Sequence, residues 1–135
     1  MTLSRSAKLA MALASAAVVI GRLAYYGLAG AGLTPDDRIA RRAIATCGKK
    51  PGSEHMDCFA DVLKRRLGEA GAGEALATLQ AIATRDRDVD RDGHVYTHGI
   101  GIELYQRDSV VGRALSRCTT LFSSGCYHGV IQAYL

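Results

Sequence analysis

The placement of the four cysteines is the feature that most constrains how this chain can fold. They form two local pairs, Cys47 with Cys58 and Cys118 with Cys126, and each pair brackets a predicted connection between two helices. In such a hairpin the two Cα atoms can come within the roughly 4.4–6.8 Å that a disulfide tolerates. The sequence leaves three pairings open, and four reduced, buried thiols in a cytosolic protein are the alternative. The even count, next to an export-like N-terminus, favours two local disulfides in an oxidising compartment.

The N-terminal segment, residues 1–33, has the pattern of a membrane or export element. A basic start over residues 1–8 is followed by apolar runs at 9–21 and 23–33, which Arg22 separates. A charged residue near the middle of a span costs roughly 2.5–3.5 kcal/mol on insertion scales, so a span that includes Arg22 is marginal.

Three interpretations of this segment stay open. A retained anchor would use residues 9–33, which are long enough to cross a hydrocarbon core of about 30 Å. A cleaved signal peptide would use the small residues 29–31 as its cleavage site, and a soluble alanine-rich helix is the third possibility. We therefore predict a signal peptide or membrane anchor over 1–33, with membrane contact through 9–33. Residues 34–135 would be a domain in the periplasm or outside the cell.

The distribution of charge argues against a nucleic-acid partner. The formal net charge is +4, but Arg5, Lys8 and Arg22 lie in an N-terminal segment that contains no acidic residue. The rest of the chain is nearly neutral and has no clustered positive excess of the kind that binds phosphate backbones. Six tyrosines, two phenylalanines and no tryptophan are too few for a base-stacking platform.

Capping residues and apolar spacing predict that residues 34–135 are helical. Thr34 and Pro35 have the pattern of an N-cap and a first helical residue, and Ser53 and Ser109 are candidate caps of later helices. No βαβ alternation is present. We therefore predict an all-α fold, a small disulfide-stapled helical bundle. Its helices would cover residues 35–47, 53–68, 73–84, 109–118 and 126–135.

Residues 94–106 are ambiguous, and a histidine pair lies at their start. Ile100, Ile102 and Leu104 alternate as in a strand, and Gly99 and Gly101 weaken a helix. The pair, at positions i and i+4, would share one helix face about 6 Å apart along the axis. On a strand the two side chains would be about 13 Å apart, too far to chelate one ion. The distance between the two imidazoles therefore depends on whether residues 94–106 form a helix or a strand.

His94 and His98 are this pair, and His128 would be a third ligand if the last helix folds back. Imidazole suits zinc, copper and iron, so any of these ions is a candidate cofactor. Val95 stands where a zincin metalloprotease has its catalytic glutamate, and no catalytic residue is assigned. The alternative is that these histidines only satisfy buried hydrogen bonds. His55, at a predicted helix start, is expected to face solvent.

Three features occur together in this chain: the early cysteines Cys47 and Cys58, the motif His94-x-x-x-His98 and the late motif Gly125-Cys126-Tyr127-His128-Gly129-Val130-Ile131. In this combination residues 40–135 resemble an uncharacterised group of exported bacterial helical proteins. In that group a cysteine typically precedes the first histidine, whereas this chain has Gly93. The resemblance implies an exported helical protein and gives weight to the histidines, but it implies no reaction.

An acidic run over residues 86–93 partly matches a calcium-binding loop. Asp88, Asp90 and Asp92 fall at ligand positions 1, 3 and 5. Position 12, which should be a bidentate glutamate, is Gly99, and interleaved arginines neutralise the carboxylates. The pattern therefore favours a solvated charged linker over a calcium site.

Two functions follow from these patterns. The first is an exported or membrane-anchored helical binding or structural protein of unknown ligand. The second is a metal-binding protein that uses His94, His98 and His128, with a redox or hydrolytic role. The last residues, 129–135, are still apolar. This predicts either that the chain continues or that this end packs on a protein partner.

Overall fold

The computed structural model describes residues 33–135, and these contain seven helices and no strand. The predicted all-α class is therefore confirmed for this part of the chain. The predicted signal or anchor lies outside the described residues. Among residues 33–135, no helix combines the length and apolar character needed to cross a membrane. The helices are α1 (Pro35–Cys47), α2 (Gly52–Ala70), α3 (Ala72–Ala83), α4 (Arg87–Arg91), α5 (Gly93–Asp108), α6 (Val111–Ser116) and α7 (Leu121–Tyr134).

Helix α1 begins with the predicted cap. The Thr34 Oγ1 accepts a hydrogen bond from the Asp37 backbone N–H at 3.1 Å, and the Asp37 carboxylate accepts one from the Thr34 N–H at 3.2 Å. This reciprocal capping box satisfies backbone donors that the first helical turn leaves without partners. The hydrogen bonds from Thr34 also lower the pKa of Asp37 below its usual value.

The core forms around α3, which packs against α1, α2, α4 and α5. More than half of the α3 residues are buried, which explains its nearly uniform apolar composition. Its neighbours contribute the large buried side chains Phe59, Leu63, Leu67, Val89, Tyr96, Ile100 and Leu104.

Thr78 is a fully buried polar residue in this core. Its Oγ1 donates a hydrogen bond to Asp36 Oδ1 at 2.8 Å, and Arg66 Nη2 donates to the same oxygen at 3.1 Å. One carboxylate oxygen of α1 therefore links α2 and α3.

We expect Thr78→Val to lower the free energy of unfolding by about 1 kcal/mol. Valine keeps the shape of threonine, but Asp36 loses a partly buried hydrogen bond. Urea denaturation would measure the change. Thr46→Val is the matched control, because the exposed Thr46 hydroxyl bonds only to the Arg42 carbonyl of its own helix. Equal effects of the two substitutions would contradict the role of Thr78.

The ends of α2 differ from the prediction. The helix begins at Gly52 after the extended Pro51, so Ser53 is its second residue and not its cap. It also continues past Gly68 to Ala70, since one glycine inside a helix costs only about 1 kcal/mol. The helix ends at Gly71, whose φ of 95° is a conformation that side chains rarely adopt.

The ambiguous residues 94–106 are helical and belong to α5. Ile100 and Leu104 are buried, and they lie one turn apart on the face that packs against the core. The prediction that Ser109 caps the next helix is wrong. Ser109 instead ends α5, in a left-handed conformation with φ 55°. Helix α6 is correspondingly short and stops before Cys118.

The acidic run forms α4 and is not a linker. Asp86 Oδ1 accepts hydrogen bonds from the backbone N–H groups of Asp88 at 3.0 Å and Val89 at 3.2 Å, and so caps the helix. Val89 is fully buried. One apolar anchor and one cap are therefore enough to order a segment whose other side chains are mostly charged.

Both predicted disulfides are confirmed. Cys47 and Cys58 join α1 to α2 with a Cα–Cα distance of 5.6 Å, and Cys118 and Cys126 join the end of α6 to α7 with a distance of 5.5 Å. Each bond closes the short local connection that its spacing indicated.

Candidate metal centre

Helices α5 and α7 make the most extensive helix–helix contact of the described residues, and glycines allow it. A Cβ atom added to Gly101 would collide with the carbonyl oxygen of Cys126, and one added to Gly129 would collide with the carbonyl oxygen of His98. The two backbones therefore touch directly. This close crossing brings the histidines of α5 beside His128 of α7.

A bend at the start of α7 covers the beginning of α5. Phe122, Ser123 and Ser124 all have left-handed backbone angles, with φ of 48°, 57° and 63°. Such angles are costly for residues other than glycine, by about 1–2 kcal/mol each. Strained segments of this kind cluster at functional sites. The regular part of α7 starts after the bend, close to the predicted start at residue 126.

The bend also explains why Gly93 precedes the first histidine. A Cβ atom at Gly93 would overlap the ring of Phe122, so a cysteine at this position would displace that ring. The carbonyl oxygen of Phe122 lies 3.0 Å from His94 Nδ1. A carbonyl can only accept a hydrogen bond, so Nδ1 carries the proton, and in the neutral tautomer Nε2 has a lone pair available.

The lone pair of His94 Nε2 lies opposite a second imidazole nitrogen. His94 Nε2 and His128 Nδ1 are 3.5 Å apart, and the ring centroids are 5.2 Å apart. Two nitrogens bound to one tetrahedral zinc at about 2.0–2.1 Å are about 3.4 Å apart. The pair is therefore spaced as two ligands of one ion. In the metal-free protein the same spacing allows a hydrogen bond between the rings.

His98 is the third predicted ligand, and it lies one turn from His94 on α5. Their ring centroids are 6.3 Å apart, as expected for a pair on one helix face. Within residues 33–135, however, the three imidazoles do not bring one nitrogen each within 4.8 Å of the other two. The structure thus brings His94 and His128 together and leaves His98 beside them.

The three imidazoles are accessible from solvent. His128 is exposed, and His94 and His98 are half-buried. A bound ion would therefore keep positions for water or another ligand, which is the difference between an open metal site and a closed structural one.

The aspartates of the predicted calcium site are arranged differently from a calcium loop. Asp88 and Asp92 both pair with Arg91, at 2.9 Å and 3.2 Å, and Asp90 is exposed on α4. Asp90 is two residues from each of the others and so lies on the opposite side of the helical turn, and the three carboxylates do not converge.

Asp88 lies instead near His55 and Asp86. Among the described residues, these three form the group in which one ligand atom from each lies within 4.8 Å of the others. The prediction that His55 faces solvent is wrong, because only 14% of its side chain is exposed. No local pattern predicts this contact, because residues 55 and 86 are far apart in the chain.

Tyr96 lies close to the same carboxylates. Burial raises the pKa of its hydroxyl to about 12, and the negative charges of Asp92, Asp86 and Asp88 act in the same direction. The Tyr96 hydroxyl therefore stays protonated at neutral pH.

The C-terminal end of α7 exposes apolar side chains. Ile131, Tyr134 and Leu135 are 42%, 56% and 95% exposed. The predicted packing of this end on a protein partner stays a prediction.

No family model, no curated protein and no solved structure matches this chain. The resemblance to exported bacterial proteins therefore stays a prediction.

Proposed function

We propose that residues 34–135 form an exported metal-binding module that takes one transition-metal ion between His94 and His128. His98, one turn from His94, would have to reorient its side chain to become a third ligand. The observation that carries this proposal is the 3.5 Å spacing of His94 Nε2 and His128 Nδ1. Zinc, copper and iron are the candidate ions, because imidazole binds all three.

The surroundings of His94 support a ligand role. Histidines that bind metals almost always donate their other ring N–H to a carboxylate, a carbonyl or water, which fixes the tautomer and the ring orientation. The Phe122 carbonyl is such an acceptor for His94 Nδ1. The strained bend that presents this carbonyl would thus orient His94 as a metal ligand.

The surroundings of His128 support the same role. Cys126, two residues earlier, is fully buried and bonded to Cys118. The Tyr127 hydroxyl donates a hydrogen bond to the Cys118 carbonyl at 3.1 Å, and Gly129 contacts α5. His128 is thus held by a disulfide on one side and a helix crossing on the other, as a preorganised ligand should be.

The two disulfides support export. Structural disulfides persist in oxidising compartments and are rare in the cytosol of most organisms. A domain in the periplasm or outside the cell, delivered by a signal or anchor over residues 1–33, would satisfy this requirement.

We expect His94→Ala and His128→Ala each to weaken zinc binding at least tenfold, since each removes one of the two ligands already in place. Isothermal titration calorimetry with Zn²⁺, together with metal analysis of the dialysed protein, would measure the change. Gln132→Ala is the matched control, because Gln132 is exposed one turn beyond His128 on α7. Wild-type zinc affinity in the His94→Ala protein, or a metal-free wild type after zinc exposure, would contradict the proposal. The histidines would then serve only in hydrogen bonding.

A further inference from the structure

We propose a second, independent site for a divalent cation such as Mn²⁺ at His55, Asp86 and Asp88, three side chains that each bring one ligand atom within 4.8 Å of the others. One imidazole with two carboxylates is a harder ligand set than the imidazoles of His94 and His128, and carboxylates favour ions such as Mn²⁺. The site does not depend on the function proposed above.

The distance between His55 and Asp86 fits two ligands of one ion. His55 Nε2 and Asp86 Oδ2 are 3.5 Å apart, longer than the 2.7–3.2 Å of an ordinary N–H···O bond. Ligand atoms at about 2.1–2.2 Å from one ion lie roughly 3.0–3.5 Å apart, depending on its geometry. The side chains of His55 and Asp86 are only 14% and 13% exposed, so both are largely shielded from solvent.

Each of these two side chains is also held in position. The other oxygen of Asp86, Oδ1, caps α4, which leaves Oδ2 directed at His55. The His55 ring packs edge-on against Phe59, with centroids 4.9 Å apart. Ligands fixed by interactions of their own lose little freedom when an ion binds.

Among the described residues, Asp86 pairs with no arginine or lysine, and the cation that pairs with Asp88 is exposed. Arg85 is engaged with Asp37 at 2.6 Å and does not neutralise Asp86. Arg91 pairs with Asp88, but it is 68% exposed, and an exposed ion pair of this kind is weak. A divalent ion can therefore displace Arg91 from Asp88 at little cost.

Manganese titration of the full chain, followed by the EPR signal of free Mn²⁺, tests this site. We expect the wild type to bind one Mn²⁺, and His55→Gln and Asp88→Asn each to raise its Kd at least tenfold. Asp90→Asn is the matched control: it removes the same charge from the same helix outside the cluster, so the Kd should change less than twofold. Circular dichroism melts would verify that each variant is folded.

Three results would overturn this site: no Mn²⁺ binding by the wild type, a Kd in Asp88→Asn no weaker than in Asp90→Asn, or an unchanged Kd in His55→Gln. His94→Ala separates the two proposals. It should weaken zinc binding at the imidazole pair and leave the Mn²⁺ Kd unchanged. Loss of Mn²⁺ binding in His94→Ala would show that the ion binds at the imidazole pair and would overturn the second site alone.

Discussion

Gly101→Ala and Gly129→Ala should each lower the free energy of unfolding by about 2–3 kcal/mol. The added methyl group of either variant would collide with a backbone carbonyl oxygen of the facing helix. A backbone atom cannot move aside as a flexible side chain can, so α5 and α7 must separate along their whole contact. The gain in helix propensity from glycine to alanine, about 0.5–1 kcal/mol, offsets only part of this cost.

Gly99→Ala is the control for this prediction. Gly99 lies in the same helix, is exposed, and has no atom within 4 Å of an added Cβ. Alanine there should raise the free energy of unfolding by about 0.5–1 kcal/mol through propensity alone. Urea denaturation with an unchanged m-value would measure all three changes. Equal effects at positions 99 and 101 would contradict the direct backbone contact.

Separation of the two helices should also weaken zinc binding. The Gly129 contact is with the carbonyl of His98, and His128 is the residue before Gly129. Gly129→Ala should therefore lower both stability and zinc affinity, whereas His94→Ala should lower zinc affinity with little loss of stability.

Removing either disulfide should also lower the free energy of unfolding substantially. In the chain-entropy model, closing loops with sequence separations of 8 and 11 stabilises the fold by about 2–3 kcal/mol each. Cys118→Ala/Cys126→Ala and Cys47→Ala/Cys58→Ala should therefore lower the free energy of unfolding by similar amounts, as measured by thermal unfolding.

The two disulfide variants should differ in metal binding. The Cys118–Cys126 bond fixes the helix that carries His128, whereas the Cys47–Cys58 bond joins α1 to α2, which carry neither His94 nor His128. Only the first double variant should weaken zinc binding, by at least tenfold. Equal zinc affinity in the two double variants would contradict a positioning role for Cys126. Four thiols that react with a labelling reagent in the untreated native protein would contradict an oxidising compartment.

Features that depend on a few neighbouring residues were predictable from the sequence. The Thr34 cap, the helix that follows Pro35 and the two cysteine pairs each involve partners close in the chain. Capping and short loop closure are local effects, so their patterns are visible without the fold.

Helix α5 shows where local reasoning was insufficient. Gly99 and Gly101 lower helix propensity, and the apolar residues at 100, 102 and 104 alternate as in a strand. The structure shows that Gly101 is needed for the contact with α7. A residue that is unfavourable for the isolated helix is thus favourable in the assembled pair.

The sequence by itself determined which residue types were available: two close cysteine pairs, a histidine pair at i, i+4 and a later His128. The cysteines meet within their local pairs, but whether His128 reaches His94 depends on how the helices pack. The bend at Phe122 and the glycine crossing set the distance between His94 and His128, and the packing of α4 brought Asp86 to a half-buried His55. These distances arise because side chains far apart in the chain become neighbours only when helices pack, and periodicity within one segment carries no information about that packing.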